Sequence, residues 1–67
     1  MLSIQVNGES QLLTTPLTVS QLLTTLNLNP RLVALEYNGE ILHRQWWETT
    51  QVQEGDRLEI VTMVGGG

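Results

Sequence analysis

The stretch LEIVTMV at residues 58–64 decides the fold that the sequence predicts. In an extended chain its residues would be apolar on both faces, apart from Glu59 and Thr62. Strands that are apolar on both faces are typical of the middle of a sheet, whereas half-exposed strands alternate polar and apolar residues. We therefore predict that residues 58–64 form a central strand, entered from a turn at Glu54-Gly55-Asp56 in which Gly55 supplies a positive φ.

Two hairpins are predicted upstream of this strand, and each contains an Asn-Gly pair, Asn7-Gly8 or Asn38-Gly39. Both residue types tolerate the positive φ that a tight two-residue turn requires. On either side of these pairs, apolar residues alternate with polar ones, which indicates strands with one buried face. The predicted strands are residues 2–6 and 10–14 in the first hairpin, and residues 33–37 and 40–42 in the second.

A short amphipathic helix is predicted between the hairpins, over residues 19–26. Thr18 can cap its N-terminus, with Gln21 closing a capping box and Leu17 contacting Leu22 as a hydrophobic staple. Pro30 cannot continue a helix and disfavours helical geometry at the preceding residue. The apolar stripe of this helix consists of Val19, Leu22, Leu23 and Leu26, at i, i+3, i+4 and i+7.

Residues 43–53 are less regular, and we expect a loop or a single helical turn there. Of Trp46 and Trp47, one is expected to cover the thin core and the other to be partly exposed. A role of this pair in contacting a partner is the less favoured alternative. The order of elements predicts an α+β domain in which one helix packs across a mixed sheet of four or five strands. The domain is expected at residues 1–64, followed by a flexible glycine tail at residues 65–67.

Composition excludes several classes of function. The 67 residues contain no cysteine, which excludes disulfides, zinc fingers, iron–sulfur ligation and thiol nucleophiles. His43 is the single histidine, so we expect no metal site and no catalytic residue. The formal net charge of −4, with only three arginines, argues against nucleic-acid binding. No apolar stretch approaches the roughly 20 residues of a membrane span, and no signal peptide is evident. We therefore expect a cytoplasmic protein.

The sequence ends in Gly65, Gly66 and Gly67, directly after the predicted central strand. Terminal glycines are often frayed and without a role. Three extended residues nevertheless reach about 10 Å beyond a fold, and without Cβ atoms they can enter a narrow channel. Such a tail could deliver the Gly67 carboxylate into the active site of another protein for activation as an acyl adenylate, with Gly65 and Gly66 threading into that site.

Residues beside the tail are candidates for contact with partners. Val61 and Met63 would lie on the opposite face of the last strand from Ile60 and Thr62. If the helix covers only one face, the exposed pair is available for docking. The sequence does not decide between the two faces; we predict a docking surface formed by Val61, Met63 and Val64.

The chain resembles the ThiS family, the sulfur carriers of thiamine (thiazole) biosynthesis, which have a ubiquitin-like β-grasp fold. The resemblance extends over essentially the whole length. It includes residues 2–8, VALEYNGEIL at 33–42, Arg44 with Trp46 or Trp47, and most specifically EGDRLEIVTMVGGG at 54–67. His43 departs from the family pattern, because family members often have proline before the arginine.

The resemblance implies a protein substrate and not an enzyme. The family's terminal glycine, here Gly67, is adenylated by an ATP-dependent adenylyltransferase that resembles a ubiquitin-activating enzyme. Sulfur from a persulfide donor then converts it to a thiocarboxylate, and thiazole synthase uses that sulfur. The carrier itself would bind no cofactor, since ATP is used by the activating partner.

Two other functions are compatible with the same residues. The first is a protein with the same fold and tail chemistry in a different pathway, such as the sulfur carrier of molybdopterin synthesis or a ubiquitin-like modifier. Molybdopterin carriers tend to be longer than this 67-residue chain. The other is a β-grasp interaction module with an inert tail.

Overall fold

The last strand of the chain lies in the middle of the sheet. The computed structural model describes residues 1–63, which form a five-stranded sheet in the order β2-β1-β5-β3-β4. The β1–β5 pair is parallel and the other pairs are antiparallel. The elements are β1 (Leu2–Val6), β2 (Glu9–Leu13), α1 (Val19–Thr25), β3 (Val33–Tyr37), β4 (Glu40–Ile41) and β5 (Arg57–Thr62), with short 3₁₀ helices at Pro30–Leu32 and Arg44–Trp46. The predicted α+β architecture, a mixed sheet packed on one helix, is confirmed, as is the central position of the last strand.

The bounds of β5 differ from the prediction. It begins at Arg57 and ends at Thr62, so that Met63 lies beyond the strand. The reason is the length of its neighbour, because Val33, the first residue of β3, already pairs with Thr62. Smaller differences occur in β2, α1 and β4: β2 starts at Glu9 and ends at Leu13, α1 ends at Thr25 with Leu26 as its C-cap, and β4 ends at Ile41.

The start of α1 has the predicted capping box. The Thr18 hydroxyl oxygen accepts from the Gln21 amide at 3.1 Å, and the Gln21 side chain accepts from the Thr18 amide at 3.0 Å. The first two amides of the helix donate to carbonyls of the 47–50 loop, Val19 to Thr50 and Ser20 to Trp47. Because the N-terminal amides of a helix have no partner within it, these bonds attach α1 firmly to the loop.

The core lies between α1 and one face of the sheet. Val19, Leu22 and Leu23 of the helix are fully buried there, as the periodicity predicts. The other face of the sheet is not covered by any element of residues 1–63, and large apolar side chains are exposed on it. The buried sheet and loop residues are Ile4, Val6, Leu13, Val33, Leu35, Trp47, Val52, Leu58 and Ile60.

The irregular segment contains one short 3₁₀ helix, as expected, and its two tryptophans have different environments. Trp47 is 4% exposed and belongs to the core, whereas Trp46 is 52% exposed. The Trp47 indole N–H donates to the Leu42 carbonyl at 2.9 Å. The Arg44 guanidinium lies 5.6 Å from the centre of the Trp47 ring and donates to the Pro30 carbonyl. The expected division between a core tryptophan and an exposed one is thus confirmed.

Candidate functional site

The candidate site is the end of β5, the last described strand before the glycine tail in the sequence. Val64, Gly65, Gly66 and Gly67, which the sequence singles out, lie outside the described residues. The structure describes the strand up to Thr62 and the following Met63. The site is therefore built here from the residues that hold this strand and from those exposed beside it.

Neighbouring strands hold β5 unequally on its two sides. On the β3 side, register pairs run from Tyr37 with Leu58 to Val33 with Thr62. One further bond follows, in which the Met63 amide donates to the Leu32 carbonyl. The β3 side thus holds the last strand as far as Met63.

On the β1 side the strand pairing is shorter, and a side chain continues it. The register pairs are Gln5 with Arg57 and Val6 with Leu58, and the Asn7 amide donates to the Leu58 carbonyl at 2.9 Å. The Asn7 side chain then takes the place of a further strand residue. Its Oδ1 accepts from the Ile60 amide at 2.6 Å and its Nδ2 donates to the Ile60 carbonyl at 3.1 Å. β5 is therefore held on both sides as far as Ile60.

A second asparagine holds the beginning of β5. The Asn38 amide donates to the Arg57 carbonyl at 2.7 Å, and the Asn38 Oδ1 accepts from the Arg57 amide at 2.8 Å. The Asp56 carboxylate accepts from Asn38 Nδ2, from the Gln53 amide and from the Tyr37 hydroxyl. Burial raises the pKa of Tyr37 to about 12, and the hydrogen bond to Asp56 and its negative charge act in the same direction.

The two faces of β5 differ in exposure. Ile60 is 7% exposed and packs in the core, whereas Val61 is 62% exposed and Met63 is 50% exposed. Thr62 is exposed too, although the alternation of a strand puts it on the same side as Ile60. Of the residues that the sequence names for docking, Val61 is therefore accessible on the face that α1 leaves open, and Met63 is half-exposed just beyond the strand.

Sequence reasoning missed the side-chain roles of Asn7 and Asn38. Both residues have φ 52°, and the glycine after each also has positive φ, as predicted for the two turns. The Asn-Gly signal identifies a turn residue but not a partner more than fifty positions away along the chain, as in the Asn7–Ile60 pair. Only the parallel pairing of β1 with β5 brings these residues together.

His43, the single histidine, is the remaining residue that the sequence analysis considered for a site. His43 is exposed and precedes the 3₁₀ helix at Arg44–Trp46, without a side-chain capping bond. Within residues 1–63, no group of three or more His, Cys, Asp or Glu side chains is placed to hold a metal ion. No helix in this part of the chain is long and apolar enough to cross a membrane.

Comparisons with known proteins find a matching family model and several similar sequences. A family model described as ThiS family matches residues 4–67. The uncharacterized protein ycf40 of Porphyra purpurea is 38% identical over 66 residues, which are 98% of this chain and 93% of that protein. A protein named thiazole synthase from Paramagnetospirillum magneticum is also 38% identical over 66 residues, but the match covers only 20% of its length.

The fold has a close counterpart among solved structures. The crystal structure of a thiamine biosynthesis protein (ThiS) from Geobacter metallireducens matches with a TM-score of 0.85 at 33% sequence identity. The match covers 98% of this chain and 100% of that one. With the family match over residues 4–67, this establishes the ubiquitin-like β-grasp fold. The chain belongs to the ThiS family of small sulfur carrier proteins of thiamine biosynthesis.

Proposed function

We propose that the C-terminal carboxylate of Gly67 is the group on which this chain carries sulfur. An ATP-dependent adenylyltransferase resembling a ubiquitin-activating enzyme would join this carboxylate to AMP and release pyrophosphate. A persulfide sulfur would then attack the acyl carbon with loss of AMP. Cleavage of the resulting acyl disulfide by a second thiol leaves a thiocarboxylate on Gly67 and a disulfide between that thiol and the sulfur donor. The thiocarboxylate then donates its sulfur to thiazole synthase.

The observation that carries this proposal is the extent of the family match, which continues through Gly65, Gly66 and Gly67 to residue 67. The glycine tail is therefore part of the pattern that the family shares. The absence of cysteine from the sequence is consistent with this chemistry, since the sulfur would be bound to the acyl carbon of the main chain. The carrier needs no bound cofactor, because ATP is used by the activating partner.

The relatives named thiazole synthase support the second partner. In two of them, this chain matches 20% of the length, so most of each protein lies outside the similar segment. A carrier-like segment and a synthase in one polypeptide would have a high effective concentration for each other. We infer that this chain also meets a thiazole synthase, in the cytoplasm, where thiols stay reduced.

Docking would use the face of β5 that carries Val61 and Met63, continued by Val64. The glycines of the tail, Gly65 and Gly66, would pass through the narrow entrance of the partner's active site, because residues without Cβ atoms have the smallest cross-section. The fold beside the tail would remain outside that entrance.

Mass spectrometry tests the proposal directly. The chain is incubated with the adenylyltransferase of its own organism, ATP and a persulfide donor, and its mass is compared with that of a variant lacking Gly66 and Gly67. We expect a gain corresponding to one oxygen replaced by sulfur at the C-terminus of the full chain and no gain in the shortened one. An unmodified full chain, with the partner active on a known carrier, contradicts the proposal.

A genetic experiment distinguishes the pathways. Expression of the full chain, but not of the shortened one, should restore growth to a thiamine auxotroph that lacks its own sulfur carrier. Restoration of a molybdopterin-deficient strain instead would assign the same tail chemistry to another pathway. Restoration by the shortened chain would indicate an interaction module whose tail has no role.

A further inference from the structure

The open face of the sheet contains two glutamates directly opposite each other in its interior. Glu36 of β3 and Glu59 of β5 are register partners, and both are exposed. Their neighbours in the same strands, Leu35 and Ile60, are buried on the helix side, so the two carboxylates extend from the uncovered face. Like charges directly opposite in a sheet are about 5 Å apart at Cβ and destabilise it. The fold alone gives no reason for this pair.

Apolar side chains surround the two carboxylates. Ile41, 70% exposed, is the register partner of Glu36 on the other side, and Val61 is paired with Ala34 in the next row. Together they form a shallow groove of about 150 Å³. Its lining consists of Ala34, Leu35, Glu36, Ile41, Glu59 and Val61. Exposed apolar surface beside polar residues can mark a protein-binding site, and charges are uncommon in the middle of such a surface unless the partner pairs with them.

The charge of the groove determines what can cover it. A second copy of this chain, docked symmetrically through the same groove, would bring four carboxylates together. Nucleic acid and anionic membranes are excluded by the same sign of charge, which the net charge of −4 reinforces. The complementary occupant is a protein surface with an arginine or lysine among apolar side chains. A guanidinium in that position can bind two carboxylates at once, because it has several donors in a fixed plane.

The position of the groove indicates which partner this is. Val61 is six residues before Gly67, so an extended chain puts the reacting carboxylate at most about 20 Å from the groove. A partner that binds Gly67 in its active site is therefore within reach of this face, and in the proposed function the adenylating partner is the first to act on Gly67. We propose, as an extension of the proposed function, that Glu36 and Glu59 are the partner-selecting residues of the carrier and bind a basic side chain of its adenylating partner.

The test compares two double variants that each remove two negative charges. One combines Glu36→Gln with Glu59→Gln, and the other combines Glu9→Gln with Glu48→Gln. Glu9 and Glu48 are exposed but lie outside the groove, which makes the second double a control for net charge. Binding of each purified chain to the adenylating partner is measured by calorimetric titration without ATP, at low and high salt. We expect about tenfold weaker binding for the Glu36/Glu59 double and less than about twofold for the control. The difference should shrink as salt rises.

Folding provides an internal check. Removing the repulsion should raise the Tm of the Glu36/Glu59 double by about 1–5 °C, so weaker binding cannot be ascribed to unfolding. Equal effects of the two doubles would overturn the proposal, and so would unchanged binding. Loss of affinity for thiazole synthase alone would also overturn it. Binding is measured without ATP, so the two proposals can fail separately. If the wild-type chain binds the partner through Glu36 and Glu59 but is never converted to a thiocarboxylate, only the thiocarboxylate proposal is contradicted.

Discussion

The side-chain amide of Asn7 forms hydrogen bonds with both backbone groups of Ile60, which is 53 positions away in the sequence. It thereby extends the parallel pairing of β1 with β5 beyond the last residue of β1. The carbonyl oxygen and the amino group of an asparagine side chain have the same donor and acceptor arrangement as a peptide group. A residue that belongs to a turn therefore acts as one more residue of the strand.

Asn38 has the corresponding role at the other end of β5. It pairs with both backbone groups of Arg57, using its own amide and its side-chain oxygen. Each Asn-Gly turn thus contributes an asparagine to a different flank of the same central strand. Since β5 precedes the glycine tail in the sequence, both hairpins of the fold hold the described strand nearest to the tail.

The first prediction concerns the Asn7 amide. Replacing Asn7 with glycine keeps the positive φ of 52° accessible but removes both bonds to Ile60. We expect the free energy of unfolding to fall by about 1–3 kcal/mol, because two backbone groups lose their partner. Alanine at the same position should cost about 1 kcal/mol more, since it disfavours positive φ. Urea denaturation measures both changes.

Asn27 provides the matched control. It follows α1 at φ 60°, and its side chain makes no hydrogen bond to another of the described residues. Asn27→Gly should therefore change the unfolding free energy by only a few tenths of a kcal/mol. Equal effects of the two glycine variants would mean that the Asn7 amide contributes nothing beyond its backbone conformation.

The second prediction concerns pH. The pKa of Tyr37 is raised to about 12 in the folded chain, mainly by burial, against about 10 in the unfolded chain. Between these values the unfolded state has lost its proton and the native state has not, so unfolding is favoured as pH rises. The stabilisation of the folded state by protonated Tyr37 is complete below about pH 10 and is lost as pH rises from about 10 to about 12.

Titration of the tyrosinate absorbance tests this prediction without ambiguity of assignment. Tyr37 is the single tyrosine, and the three basic residues of the chain are all arginines, so no lysine titrates in the same range. We expect a midpoint near pH 12 for the native protein and about two pH units lower in denaturant. In Tyr37→Phe the decline of stability over this window should disappear. A native midpoint near that of the denatured chain would refute the assigned environment.

Local sequence signals were sufficient for most elements of the fold. The capping residues Thr18 and Gln21, the apolar stripe of α1 and the two Asn-Gly turns all act within a few residues of each other. The central strand could be predicted because residues 58–64 are apolar at positions of both faces, although only Leu58 and Ile60 of β5 are buried. The ends of strands were less predictable, since β5 ends where β3 begins and not where its own apolar run stops.

The candidate site was only partly predictable, for a physical reason. Val61 could be named because it is apolar next to the tail, but its exposure depends on which face α1 covers. The Glu36–Glu59 pair could not be found from either strand alone, since each glutamate is an ordinary polar position in an alternating pattern. It emerges only from the antiparallel register that brings β3 beside β5.

The third prediction separates the two tryptophans. Trp47→Phe keeps an aromatic ring in the core but removes the donor to the Leu42 carbonyl and leaves a partly filled space. We expect the unfolding free energy to fall by about 1–3 kcal/mol. The same substitution at Trp46, half of which is exposed, should change it by at most about 0.5 kcal/mol. Circular dichroism during urea denaturation measures both, and similar losses would contradict the assigned environments.

The fourth prediction uses Ile60 and Val61, which are adjacent in β5 but belong to opposite faces. Ile60→Ala removes a core side chain that is 7% exposed and should lower the unfolding free energy by about 2–4 kcal/mol. Val61→Ala removes a side chain that is 62% exposed, so stability should change by no more than about 0.5 kcal/mol.

The effects of the two substitutions on partner binding should be the reverse of their effects on stability. If the open face docks on the adenylating partner, Val61→Ala weakens binding by a few-fold, because an apolar contact is lost while the carrier stays folded. Ile60→Ala, assayed at a temperature where it remains folded, should bind like the wild type, since its side chain faces α1. Stability from urea denaturation and affinity from titration without ATP give the two readouts on the same samples. If Val61→Ala binds the partner as tightly as the wild type, the partner approaches the tail from the side of α1, because the variant loses surface only on the open face.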